Sequence, residues 1–136
     1  MLVKTTNLQQ DGQLALQKNL PLVIMFSQEH CSFCIKLTEE IINPILISGD
    51  YTDRVIIREL MIDSGEDIID FDGNRVDPYE IFTRYLLYVT PSVLIMSGHG
   101  DELAERQVGI NTVDYYGYYL DEAIKQALDK IRGHSL

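Results

Sequence analysis

Apolar and polar positions alternate between two periods along this chain, and the switches between them mark its elements. Residues 7–19 are rich in Gln, Leu and Ala, and Leu8, Leu16 and Leu20 recur at helical spacing, so a helix is predicted there. Gly12 weakens that helix and Pro21 ends it. The unbroken apolar run from Leu22 to Phe26, closed by Ser27, has the length of a strand buried on both faces. Helical spacing returns over residues 31–42, with Ile35, Thr38, Ile41 and Ile42 on one face and Lys36, Glu39 and Glu40 on another. Asn43-Pro44 reads as a cap and first-turn proline opening a short helix through Ile47. Residues 54–62 form a second buried strand.

The second half follows the same logic. Residues 63–77 are acidic and rich in turn formers, and Phe71 and Val76 flank Asp72-Gly73-Asn74 as in a small hairpin. The run Asp70-Phe71-Asp72-Gly73-Asn74 invites a calcium reading, but Arg75 stands where a calcium loop needs glycine. Asp77-Pro78 caps a helix to about Leu86, with Ile81, Phe82, Tyr85 and Leu86 inward. Val89-Thr90-Pro91-Ser92-Val93-Leu94-Ile95-Met96 is a strand with a proline at its entrance, where a cis peptide bond is a candidate. Gly98-His99-Gly100-Asp101 is read as a hairpin turn and residues 102–108 as its returning strand. A final helix over residues 112–132 is capped by Asn111 and carries a stripe of Tyr116, Leu120, Ala123, Ile124, Ala127 and Ile131. Tyr115, Tyr116, Tyr118 and Tyr119 are expected to be half-buried packing with wet hydroxyls.

Length and composition narrow the class. The 136 residues suit a single domain, with its core over about residues 7–132, and the 46% apolar share is that of a globular protein. A net charge of −10 argues against nucleic acid or an anionic membrane as partner. No apolar run reaches the length of a membrane span, and no signal peptide is visible at the start. The chain is expected to be cytoplasmic, or periplasmic with its leader removed.

The chemistry concentrates in Gln28-Glu29-His30-Cys31-Ser32-Phe33-Cys34. The chain's two cysteines sit here, two residues apart, where a buried strand hands over to a helix. That is the signature of a thiol–disulfide site. A helix start offers unpaired N–H groups that favour thiolate at Cys31, and the spacing brings Cys34 within bonding distance. Cys31 is then the attacking thiolate and Cys34 the resolving thiol. A zinc site wants four ligands, and there is no second cysteine pair; His30, His99 and His134 would complete one only by coincidence. A structural disulfide closing so small a loop would stabilise little.

Taken together, the element order resembles that of the thioredoxin superfamily, a central mixed β-sheet flanked by α-helices. Three stretches carry the resemblance: Met25 to Cys34, Phe71-Asp72-Gly73-Asn74 leading into a helix, and Val89-Thr90-Pro91-Ser92. Its nearest resemblance is to bacterial thioredoxin-related proteins of the SoxW and DsbC/DsbG-like type. The resemblance implies a cis Pro91 beside the cysteine pair. It implies that Thr90 and Pro91 hold a substrate's extended backbone, with Thr90 tuning the thiol. His30, Ser32, Phe33 and Glu29 stand where such proteins tune their cysteines. The chain departs from thioredoxin in having no tryptophan and in placing Met25 where thioredoxin keeps a buried aspartate, so Glu29 or a water would carry the proton. No DsbC-type dimerisation domain is found, and a monomer is expected.

These features lead to an enzyme that exchanges the Cys31–Cys34 dithiol with disulfides or thiols of protein substrates, as a reductase, and is recharged by a separate redox partner. No cofactor or metal is required, because the sulfurs carry the electrons. A peroxidase on the same fold would want an arginine near Cys31, and none is near in sequence. The alternative is a non-catalytic interaction module or one that binds Cu(I) through the pair.

Overall fold

Strand β2 (Leu22–Ser27) lies at the centre of a five-stranded sheet in the order β1-β3-β2-β6-β7, in a computed structural model that describes residues 1–110 and 113–133. Strand β3 (Ile56–Met61) runs parallel to β2 and pairs Leu22 with Ile56 through Ser27 with Met61. Strand β6 (Ser92–Met96) runs antiparallel on the other side and pairs Phe26 with Ser92. The short strands β1 (Val3–Lys4) and β7 (Gln107–Val108) form the edges. This is the mixed sheet flanked by helices that the element order implies.

Both faces of β2 are covered, which is why its sequence is apolar without alternation. Leu22, Ile24 and Phe26 enter one core, with Leu8 and Ala15 of helix α1 (Leu8–Lys18) and Ile81 and Phe82 of helix α4 (Pro78–Arg84). Val23 and Met25 enter the other, with Cys34 and Leu37 of helix α2 (Ser32–Leu37) and Leu120, Ile124 and Ala127 of helix α5 (Tyr116–Arg132). Fully burying a side chain of this size contributes about 1.5–3 kcal/mol, so the central strand anchors both layers.

Helix α1 keeps its glycine for a packing reason. A Cβ on Gly12 would lie 2.2 Å from the Gly98 carbonyl oxygen, so the helix can approach the turn after β6 only without a side chain. Asn7 caps α1 by accepting the Gln10 N–H at 2.9 Å. Leu16, expected to face the core, is exposed; Ala15 and Asp11 lie inward instead. Asp11 is held by the Thr5 hydroxyl and by Arg58 Nε at 3.0 Å, which satisfies a carboxylate in a buried position.

After Leu37 the helix does not stop. Residues Thr38–Ile42 are wound as a π-helix that runs directly into helix α3 (Asn43–Ser48). Pro44 has no N–H and its ring would strike the carbonyl four residues back. The wider turn relieves this, with the Asn43 N–H reaching Thr38 O, five residues back. Asn43 is therefore helical and not a cap; its Oδ1 accepts the Leu2 N–H at 3.1 Å. Ile35 also departs from expectation: it is exposed, and Cys34 and Leu37 turn inward in its place.

The acidic stretch folds into a small hairpin of β4 (Ile68–Ile69) and β5 (Arg75–Val76). Asp70, at its turn, is buried and forms a two-pronged pair with Arg84, Nη2 to Oδ2 at 2.6 Å and Nη1 to Oδ1 at 3.2 Å. Burial pushes the Asp70 carboxyl up, but hydrogen bonds from Arg84 and the Phe71 N–H, with the guanidinium charge, hold it below the usual carboxylate value.

Asp77 caps α4 by accepting the Tyr79 N–H, and Ile81 and Phe82 are inward as expected. Leu86 is not: it adopts a left-handed backbone at φ 60°, and its side chain is 81% exposed, while Leu87 fills the core. The returning strand is shorter than residues 102–108, reduced to β7 and a single bridge from Glu102 to Met96. In the last helix the stripe from Tyr116 to Ala127 is buried, but Tyr115, Tyr118 and Tyr119 are exposed and the Tyr116 hydroxyl is buried with the rest of its ring, so none of the four is half-buried with a wet hydroxyl. The Asn111 cap and Thr112, like His134, lie outside the described residues.

Candidate active site

The cysteine pair sits at the end of the sheet where β2 finishes and β6 begins. Cys31 and Cys34 are joined as a disulfide, with Cα atoms 5.2 Å apart. Cys31 is the N-cap of α2, in extended backbone, and its Sγ accepts the Cys34 N–H at 3.1 Å. It is half-buried at the rim, whereas Cys34 is 3% exposed and belongs to the core shared with Met25. One sulfur is thus open to a reagent and the other is shielded behind it, which suits attack at the first and resolution by the second.

Two anchors hold the loop that delivers Cys31. The Glu29 N–H lies 3.1 and 3.2 Å from the two carboxylate oxygens of Asp63, just beyond β3. His30 then takes a left-handed backbone, φ 59°, which turns the chain into the helix at a strain cost for a non-glycine residue. The side chains of Glu29, His30 and Ser32 are exposed, and Phe33 is half exposed, so all four surround the pair without covering it.

The loop before β6 closes the other side. The Thr90–Pro91 peptide bond is cis. The carbonyls flanking Thr90 are both occupied: Val89 O accepts the Ser92 hydroxyl at 2.6 Å, and Pro91 O accepts the Gly109 N–H at 2.9 Å. Thr90 is thereby held against Cys31, its carbonyl oxygen 3.8 Å and its hydroxyl 3.5 Å from Sγ. The same hydroxyl lies 2.8 Å from Gln28 Oε1. Residues distant in sequence, Cys31 and Thr90, are therefore neighbours in space.

Sequence reasoning passed over Glu59. It lies opposite Met25 in the β2–β3 register, and the Ser27 hydroxyl donates to its Oε2 at 2.8 Å. A cavity of about 360 Å³ is lined by Cys34, Thr38, Glu59, Met61 and Lys4, so a carboxylate and the inner cysteine open on one space. Glu29 lines that cavity too, from its outer side. The charged pair Arg58-Glu59, interrupting an apolar strand, was the available signal. Among the described residues, no group of three or more His, Cys, Asp or Glu is placed to hold a metal ion, and no helix is long and apolar enough to cross a membrane.

Comparison with known proteins agrees with this geometry. The family model described as a thioredoxin-like domain matches residues 8–131. The chain belongs to the thioredoxin superfamily. No curated protein matches it in sequence. Among solved structures it is similar to the DsbH oxidoreductase, at 14% identity over 92% of this chain and 86% of that one, with a TM-score of 0.67. It is also similar to the C-terminal domain of DsbD from Neisseria meningitidis, at 17% identity over 90% and 98%, TM-score 0.59. Thioredoxin O2 from Arabidopsis thaliana matches at 19% identity over 92% of each chain, TM-score 0.55. Likenesses this distant bear on the fold alone, and their spread shows no bias toward the SoxW or DsbC/DsbG type. A redox-active disulfide pair on a thioredoxin fold equips the chain for thiol–disulfide oxidoreductase chemistry.

Proposed function

We propose that the protein is a thiol–disulfide oxidoreductase that reduces disulfides in protein substrates, with Cys31 as nucleophile and Cys34 as resolving thiol. The observation that carries this reading is the half-buried Cys31 beside Thr90, with Cys34 buried directly behind it.

In the reduced protein the Cys31 thiolate attacks one sulfur of a substrate disulfide. A mixed disulfide forms, and the other substrate sulfur leaves and takes up a proton. Cys34 then loses its proton and attacks Cys31 Sγ; the Cys31–Cys34 disulfide forms and the second substrate thiol is released. Two electrons pass from the pair to the substrate, and a dithiol reductant must return them. Glu59 is the proton acceptor for Cys34, because it shares a cavity with that residue and Met25 offers no acid. Thr90, presented by its cis bond to Pro91, holds the substrate strand by backbone pairing, and Glu29, His30, Ser32 and Phe33 form the rim that tunes the pair. The reductase direction rests on resemblance to single-domain reductants.

The deciding experiment is an equilibrium titration of the Cys31–Cys34 pair against glutathione and dithiothreitol, with insulin reduction measured alongside. A potential near about −270 mV supports the reductase; one near about −120 mV reverses the direction to disulfide donation. A pair that forms no reversible disulfide, reduces no insulin and binds Cu(I) tightly overturns the enzyme reading in favour of a metal-binding module.

A further inference from the structure

The Thr90 hydroxyl has one proton and two acceptors within reach. Gln28 Oε1 is 2.8 Å away and Cys31 Sγ is 3.5 Å away. A hydroxyl donates one hydrogen bond at a time. In the disulfide, Sγ is a weak neutral acceptor, and 2.8 Å is the ordinary length of a good O–H···O bond. The proton therefore belongs to Gln28 in this state. Reduction changes the competition: a Cys31 thiolate is a charged acceptor, and charge-assisted hydrogen bonds are about twice as strong as neutral ones. Both acceptors already lie around the same oxygen, so rotation of the O–H alone transfers the bond.

We propose that Gln28 is a positioning residue that competes with the Cys31 thiolate for the Thr90 hydroxyl proton, so that the side chain at position 28 sets how strongly the reduced site stabilises its thiolate. The inference rests on Cys31 being the attacking thiolate. Gln28 acts through Thr90 and does not touch Cys31 in this account. Its position, exposed at the end of β2, leaves it outside both cores.

The charged and titratable groups around Cys31 are the same with or without this acceptor. His30 and Glu29 lie on its own loop, Lys36 on α2, Asp63 behind the loop and Glu59 on β3. Thr90 meets Cys31 from the other side, and residues 86–92 around it include no carboxylate, imidazole, amine or guanidinium. A change at position 28 that alters only the acceptor therefore reads the hydroxyl directly.

The test follows the pH dependence of iodoacetamide alkylation at Cys31 in the reduced full chain, located by mass spectrometry. Gln28→Met keeps the length of the side chain and removes the amide oxygen. The acid constant of Cys31 is expected to rise about three- to tenfold, the size of one net hydrogen bond. Thr90→Val removes the hydroxyl, and in that background Gln28→Met is expected to change nothing. Gln28→Glu supplies a stronger acceptor and is expected to lower the acid constant in the presence of Thr90 by more than in the Thr90→Val background. Equal shifts with and without the Thr90 hydroxyl, or no shift with it, overturn the proposal. Disulfide exchange with dithiothreitol on the same samples reports separately on the exchange reading: its loss, with the Gln28 dependence intact, removes the function and not the competition.

Discussion

Met25 and Glu59 are partners across the parallel pairing of β2 and β3, so an apolar side chain sits on the strand that leads to the cysteines and a carboxylate on the strand beside it. Both face the layer that contains Cys34, Met25 within its core and Glu59 at its cavity. In the proposed mechanism proton handling is displaced by one strand, and Ser27 fixes the carboxylate through a 2.8 Å hydrogen bond.

Glu59→Gln keeps the shape and removes the base. The release of reduced substrate from the mixed disulfide is expected to slow on the order of 10²-fold, the low end of a general acid–base contribution, while formation of the mixed disulfide is unchanged. Rapid-quench kinetics with a labelled disulfide peptide separates the two steps. An unchanged release rate would assign the proton to another acceptor.

Cys34→Ser is expected to leave Cys31 able to attack but unable to be resolved, so a mixed disulfide with a peptide persists and is visible by mass under non-reducing conditions. Cys31→Ser is expected to give none, because Cys34 is buried. Adduct at Cys34 in the second variant would reverse the two roles.

Asp70 and Arg84 make an acid-sensitive clasp between the hairpin and α4. Arg84→Met leaves a buried carboxylate without its guanidinium and is expected to cost about 1–3 kcal/mol at neutral pH, read by urea unfolding. The folded carboxyl lies below its ordinary value, so the stabilisation is present above the unfolded value near 3.8 and is lost as pH falls through the folded one. The difference between wild type and variant should therefore shrink below about pH 4. A difference that stays constant down to that acidity would rule out the charge pair as its source.

Gly12→Ala sets two effects against each other. Alanine favours a helix over glycine by about 1 kcal/mol, but here its Cβ meets a backbone oxygen at 2.2 Å, which no side-chain rotation can relieve. Overpacking of about 1–3 kcal/mol is expected to win, giving a net loss of stability. A variant more stable than wild type in urea would show that α1 can shift away from the turn.

The elements with one dominant period were legible in the sequence. The runs at Leu22 and Ser92 are buried on both faces, and continuous apolar character says so directly. The cysteine spacing identified the pair, and Asp77 announced its helix through its capping chemistry. What failed depended on neighbours remote in sequence. Leu86 and Leu87 are chemically alike, and the left-handed turn at Leu86 decides which one enters the core. Ile35 follows helical spacing, yet the helix is rotated so that Cys34 and Leu37 face the sheet. The widened turn ahead of Pro44 erased the boundary that Asn43-Pro44 suggested. The interruption of β3 by Arg58-Glu59 was visible, but what Glu59 faces is set by the pairing of β2 with β3, and what Gln28 faces by the approach of the Thr90 loop.

Strand β2 is a wall with no spare side: its five apolar positions are committed to one core or the other, and the sixth, Ser27, is buried against Glu59. For evolution this divides the chain into text that is nearly closed to revision and text that is open. A polar substitution at any of those five positions damages a core, whereas the exposed residues at its exit, Gln28 to His30, and those near the entrance to β6, Leu86 and Tyr88, can be rewritten without disturbing either. Change at that margin reshapes the rim around Cys31 and leaves the strand alone.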